Sequence, residues 1–103
     1  MVDKMSQLIR LSQKNKRLLT IIALCNNEHI LYNYIKHMGD YFVQKYRRYD
    51  INFDCYDPFN LSKNDLEGIH SYPSFIFYKS DTKKYYSGIN SNNIDSIISN
   101  MVN

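Results

Sequence analysis

The run Leu18-Leu19-Thr20-Ile21-Ile22-Ala23-Leu24-Cys25 constrains this chain more than any other segment. Eight residues cannot cross a bilayer, which needs about 20. Lys16 and Arg17 precede the run and Asn26-Asn27-Glu28 follow it. Its aliphatic and β-branched content inside those polar limits reads as a strand. Unbroken apolarity, in place of alternation, means that both faces of the strand are covered, as in a central or parallel strand. The run is also too short, and too abruptly followed by polar residues, to serve as a signal peptide. A cytoplasmic compartment is the expectation, with the two cysteines as thiols.

The rest of the chain is read around that strand. Met5, Leu8, Ile9 and Leu11 are spaced for a short amphipathic helix, giving an N-terminal helical extension over residues 1–16. Ile30, Leu31, Tyr34, Ile35, Met38, Tyr41, Phe42 and Tyr46 follow a three–four spacing that predicts a long helix over residues 28–48. Glu28 suits its first turn, and Lys45, Arg47 and Arg48 suit its last. Gly39 sits inside it at a cost of about 1 kcal/mol relative to Ala.

Ile51 to Tyr56 alternates with period two and reads as a strand that Asp57-Pro58 stops. Ser62 is a candidate N-cap for a short helix to Ile69. Residues 73–78 and 84–87 flank the turn Ser80-Asp81-Thr82 and predict a hairpin. Asn93, Ile94, Ile97, Ile98, Met101 and Val102 predict a final helix. The order is β-α-β, then α, then β-β-α, preceded by a helix. A right-handed βαβ crossover gives two parallel strands. The expectation is a single α/β domain over residues 1–103, a four-stranded mixed sheet with helices on both faces.

Composition narrows the function classes. Thirteen lysines and arginines against ten aspartates and glutamates leave +3, too little for a cationic nucleic-acid arm. At 44% hydrophobic and 15% aromatic the chain is not disordered. Two cysteines do not make a disulfide scaffold. The richness in Asn, Ile, Lys and Tyr is what an AT-rich genome gives.

The segment Ile69-His70-Ser71-Tyr72-Pro73-Ser74-Phe75-Ile76-Phe77-Tyr78, followed by the turn, Lys84-Tyr85-Tyr86-Ser87 and Gly88, is more specific. It resembles the thioredoxin pattern of apolar residue, Pro, Thr, strand, turn, strand, Gly. The resemblance covers about residues 17–103 and implies a thioredoxin-like fold. It implies a cis Tyr72–Pro73 bond facing the active-site helix, with Tyr72 and Ser74 beside the substrate. Ser74 stands where the family usually has Thr. The family places Cys-x-x-Cys at the start of the long helix. Here Cys25-Asn26-Asn27-Glu28 takes that place, with Cys25 as candidate nucleophile and Glu28 at the resolving-cysteine position. Leu24 replaces the usual Trp, and the N-terminal part is short for the family's edge strand. A Cys-x-x-Cys disulfide is therefore impossible. A thiol at a helix N-terminus is activated by the dipole and free N–H groups, while a carboxylate at Glu28 opposes a second negative charge.

Each candidate has a bland reading beside the functional one. Cys25 is either a monothiol nucleophile that forms mixed disulfides or an inert hydrophobe at a strand end. Neither the Cys-Gly-Phe-Ser motif of cluster-binding monothiol glutaredoxins nor their later Gly-rich Cys-Asp segment is present, so no iron–sulfur cluster is expected. Cys55, at the end of the neighbouring strand, either approaches Cys25 or points into the core. His29, His37 and His70 have no converging partners for zinc. Asp54 and Asp57 read as turn and cap residues rather than acid–base groups. Lys45-Tyr46-Arg47-Arg48-Tyr49 interleaves cations with aromatics in the manner of a single-strand binder, but it also ends a helix, where cations are favourable. Ten tyrosines exceed what a core can satisfy. One of Tyr85 and Tyr86 should be exposed on an edge strand, which either pairs with another chain or is blunted by Lys83 and Lys84.

These readings lead to a redox-degenerate thioredoxin-fold protein that acts as a protein-binding or structural module. The alternative is a monothiol thiol-disulfide oxidoreductase using Cys25, with Pro73 shaping the groove. A protein partner is expected, or a second copy through an edge strand. No membrane, metal or other cofactor is expected, and nucleic acid is disfavoured. Large AT-rich DNA viruses encode divergent thioredoxin-like proteins, some carried in virions, which makes a viral source compatible with the resemblance.

Overall fold

The computed structural model describes residues 15–60, 69 and 71–103, together with Gln7, Arg10 and Lys14. Its elements are β1 (Leu19–Leu24), α1 (Tyr32–Lys45), β2 (Ile51–Tyr56), a 3-10 turn (Pro58–Asn60), β3 (Ser74–Lys79), β4 (Thr82–Ser87) and α2 (Ser91–Val102). The sheet order is β2-β1-β3-β4. β1 pairs in parallel with β2, and β3 is antiparallel to both β1 and β4. This is the mixed four-stranded sheet that the element order implies. The N-terminal helix expected over 1–16 and the short helix expected over 62–69 fall mostly outside the described residues. Of these, Gln7, Arg10 and Lys14 are helical and exposed, and Ile69 is not helical.

β1 is central, and all six of its residues are buried. Alternation divides them between two faces. Leu19, Ile21, Ala23 and the following Cys25 join Phe75 and Phe77 of β3 on one face. Ile35, Met38 and Phe42 of α1, with Ile94, Ile98 and Met101 of α2, cover that face. Ile22, Leu24, Ile76 and Tyr78 form the opposite face, against which Tyr56 and Ile69 pack. Both described helices therefore lie on one side of the sheet. Each fully buried side chain here contributes about 1.5–3 kcal/mol of apolar burial, so the core rests mainly on β1 and β3.

The long helix runs from Tyr32 to Lys45, shorter at both ends than the 28–48 read from the spacing. Asn26 causes the late start. Its Oδ1 accepts the Glu28 N–H at 2.8 Å, and its carbonyl accepts the His29 N–H at 2.9 Å. Those bonds turn the chain where a helix was expected, the usual way an Asn side chain competes with helical bonding. No acidic residue stands in the first turn of α1. His29, two residues before the N-cap Leu31, meets the chain entering α1: its Nδ1 accepts from the Leu31 N–H at 3.1 Å and its carbonyl from the Tyr32 N–H at 3.0 Å. Two of the four donors that a helix start leaves open are thereby satisfied. At the other end Arg47 and Arg48 lie beyond α1 in the turn into β2.

Asn90 caps α2, accepting from the N–H groups of Asn92 and Asn93 at 3.0 and 3.2 Å, so this helix begins two residues before the apolar spacing does. The hairpin turn is reduced to Ser80-Asp81, with Ser80 at φ +54°. On β4, Tyr85 is exposed, while Tyr86 packs against the core and its hydroxyl accepts from Asn93 Nδ2. Lys45 and the Tyr46 hydroxyl both bond the Asp95 carboxylate, tying α1 to α2. Burial raises the Asp95 carboxyl, but the hydrogen bonds from Lys45 and Tyr46 outweigh it and hold the group below its ordinary 3.8.

Gly39 has a structural cause. A Cβ built there would lie 2.3 Å from Cδ1 of Phe53, whose ring fills the gap between α1 and β2 and meets Phe75 at a centroid distance of 6.2 Å. Gly39→Ala gains up to about 1 kcal/mol of helix propensity, but overpacking costs about 1–3 kcal/mol. Urea unfolding should show a net loss of stability in Gly39→Ala, recovered in part by adding Phe53→Leu. A rise in stability would show that the Phe53 ring moves away without cost.

Candidate functional site

The C-terminal end of β1 and the start of β3 bring the candidate residues together. Leu24 pairs with Ser74, so the next residues outward are Cys25 and Pro73. The Tyr72–Pro73 peptide is cis. The Pro73 carbonyl accepts the Gly88 N–H at 3.0 Å, and Gly88 has φ +124°, a conformation that favours glycine. Ser74 is fully buried. Its hydroxyl donates to the Ser71 carbonyl and lies 3.1 Å from the Ser87 hydroxyl. Ser74 thus fastens the loop to β4.

Cys25 is only 2% exposed. Its backbone N–H bonds the Tyr56 carbonyl at 3.0 Å, extending the parallel ladder, and its Sγ lies 3.6 Å from the Asn26 carbonyl. Burial pushes the thiol above its ordinary 9.0. The expected activation at a helix N-terminus does not occur, because α1 starts seven residues later, at Tyr32. The turn leading into α1 is residues 27–31, Asn-Glu-His-Ile-Leu, which contains no cysteine. Cys25 is the first residue after a strand, not the first residue of a helix. Glu28 is exposed on that turn and does not line the groove below.

Cys55 and Cys25 are both free. In the parallel register Cys55 stands beside Ala23, two residues short of Cys25. Such diagonal neighbours are about 7–8 Å apart, outside the Cα separation of about 4.4–6.8 Å that a disulfide spans. Burial first, and the neighbouring Cys25 second, push the Cys55 thiol up to about 11.

Next to Cys25 lies an apolar groove of about 330 Å³ lined by Cys25, Asn26, His29, Pro58, Phe59 and Tyr72. Phe59 is 86% exposed and Tyr72 46%, and Ile30 on the adjoining turn is 92% exposed. Asn26, His29, Pro58 and Phe59 were not legible as site residues. The one available signal was Phe59, a single large apolar residue between the turn formers Asp57-Pro58 and Asn60. Asp57 builds that turn by accepting the Phe59 N–H at 3.0 Å, and Asp54 is an exposed residue of β2. His37 is exposed on α1, and His70 lies outside the described residues. Among the described residues no three His, Cys, Asp or Glu side chains converge as metal ligands, and no helix is long and apolar enough to cross a membrane.

No protein-family model matches the chain, and none of the curated proteins matches it in sequence. Solved structures do match. The oxidised thioredoxin of Plasmodium falciparum shares 19% identity at a TM-score of 0.71, over 95% of this chain and 92% of that one. Thioredoxin O2 of Arabidopsis thaliana, also oxidised, shares 13% at 0.75, over 97% and 88%. Thioredoxin NaTrxh of Nicotiana alata shares 19% at 0.75, over 97% and 87%. The chain thus has a thioredoxin-like fold.

The thiol environment has a pH consequence. In the folded chain Cys55 keeps its proton up to about 11, whereas the unfolded chain releases it near 9.0. Its contribution to stability is therefore complete below 9.0 and is lost as pH rises toward 11. Between pH 8 and 11 the urea midpoint of the wild type should fall further than that of Cys55→Ser. Parallel curves would show that Cys55 is not desolvated.

Proposed function

We propose that this chain is a redox-degenerate thioredoxin-fold protein that holds a protein partner in the apolar groove beside Cys25. The observation that carries the reading is the groove itself. It is walled by Phe59 and Tyr72, which remain exposed beside a buried thiol. Aromatic side chains standing over an apolar depression are the usual anchors of protein recognition. The cis Pro73 loop and the Asn26–His29 turn fix the two sides by backbone hydrogen bonds, so little ordering is needed on binding. Against a monothiol oxidoreductase stand the burial of Cys25, its raised pKa and its distance along the chain from the start of α1. Thiol–disulfide exchange needs a thiolate at the working pH and access for the attacked disulfide, and both are reduced here.

The test pairs a binding selection with an activity assay. A random-peptide display library is panned on the wild type and on Phe59→Ser/Tyr72→Ser, and insulin disulfide reduction is followed alongside. Apolar peptides should be enriched on the wild type and recovered about tenfold less on the double variant, the loss of one anchor-scale contact of about 1.4 kcal/mol. Equal recovery on both proteins would remove the groove as the binding surface. Disulfide reduction that Cys25→Ser abolishes would establish the oxidoreductase instead.

A further inference from the structure

At the end of the sheet opposite the groove, a cavity of about 520 Å³ is lined by Lys16, Arg17, Arg48, Tyr49, Asp50 and Lys79, with Val102 at its edge. β1 separates the two sites: the cavity lies before Leu19 and the groove beyond Leu24, about 20 Å of strand. The cations come from three places in the chain: the lead-in to β1, the turn after α1, and the end of β3. Four cations against one carboxylate give the cavity the same +3 that the whole chain carries. The remainder of the molecule is balanced, so the excess charge is concentrated here.

The ordinary explanation is that cations complement helix C-termini. It accounts for Lys79, whose Nζ donates to the Met101 carbonyl at the end of α2 at 2.6 Å. Lys16 and Arg17 lie two and three residues past the helical Lys14, but among the described residues neither donates to a helix carbonyl as Lys79 does. Arg48 lies three residues past α1. Among the described residues the side chains of Lys16, Arg17 and Arg48 make no ion pair, the one such pair being Lys45 with Asp95. Like charges gathered without counter-ions repel one another, and an anion in the cavity relieves this.

We infer that the cavity binds an oligophosphate anion, free or carried on a nucleoside. Two guanidinium forks and two ammonium groups match phosphate oxygens better than a lone carboxylate. A single phosphate, a few water volumes of about 30 Å³ each, leaves most of the space unfilled, whereas a chain of three phosphates fills roughly half of it and reaches several of the cations at once. A long nucleic acid fits less well, because it needs a basic stripe along its path, and the cations lining this cavity gather at one end of β1. The Tyr49 ring, 42% exposed at the wall, is placed to stack on a base if one is attached. This inference is independent of the groove and its partner.

The probe is inorganic tripolyphosphate, titrated calorimetrically at low salt. It should bind the wild type at least about tenfold more tightly than orthophosphate does, because it meets more of the cations at once. Arg17→Gln/Arg48→Gln should weaken it about tenfold, and Asp50→Asn, which removes the opposing charge, should tighten it. A control with the same net charge, Arg47→Gln/Lys84→Gln, should leave it within about twofold. The single variants Arg17→Gln and Arg48→Gln, both at exposed positions, give the same ordering if the double variant melts early. ATP binding more tightly than tripolyphosphate, with the gain lost in Tyr49→Ala, identifies the nucleoside form, and equal affinity identifies the free anion. The inference is overturned if the control weakens binding as much as the cavity variant. It is equally overturned if a short oligothymidine binds tightly while tripolyphosphate does not.

Discussion

Every other element depends on the need to cover β1 on both faces. Six consecutive buried residues leave no face for water, and a strand has two hydrogen-bonding edges to satisfy as well. β2 and β3 take the edges, one parallel and one antiparallel. The parallel partner requires a crossover, and α1 is that crossover, placed on the face of Leu19, Ile21 and Ala23. α2 returns to the same face after the β3–β4 hairpin. The exposed residues of β4, an edge strand with only one neighbour, show the contrast: a peripheral strand tolerates Lys83 and Lys84 because it has water on one side.

The fold was largely legible because that constraint is written as an apolar run, and the period-two strand Ile51–Tyr56 and the hairpin follow from equally local patterns. The start of α1 was not. Glu28 looks like a first-turn acid, and the apolar spacing from Ile30 is helical, so the sequence reads as helix from residue 28. The competing signal was Asn26, whose side chain and carbonyl close a turn before the helix begins. A histidine that bonds the chain ahead of a helix with its ring nitrogen and its carbonyl has no sequence signature. Gly39 was legible only as a cost. Its compensation, the Phe53 ring, comes from a strand fourteen residues away and is visible only in three dimensions.

The misplaced helix start matters for chemistry. The six residues between Cys25 and α1 remove the thiol from the helix dipole, whose influence falls off within the first turn. What remains is desolvation without a cation, and that favours the neutral thiol. Cys55 on the neighbouring strand is raised by burial first and by Cys25 second, with Lys36 only partly opposing them. Two thiols packed on one sheet face, too far along the strands to join and both raised by desolvation, pack there as small apolar groups.

The two ends of β1 consequently have opposite characters, and the sheet explains why. At the end beyond Leu24 the chain leaves the sheet through turns held by Asn26, Asp57 and Ser74, whose polar atoms are spent on backbone groups. The surface left over is apolar: Phe59, Tyr72 and the edge of Cys25. At the end before Leu19 the charged side chains of Lys16, Arg17 and Arg48 make no ion pair among the described residues, and the surface left over is charge. An apolar pole with its hydrogen bonds satisfied attracts side chains. A charged pole with its ion pairs unmade attracts counter-charge. A fold shared with solved thioredoxins thus carries, at the two ends of β1, an apolar groove and a cluster of cations.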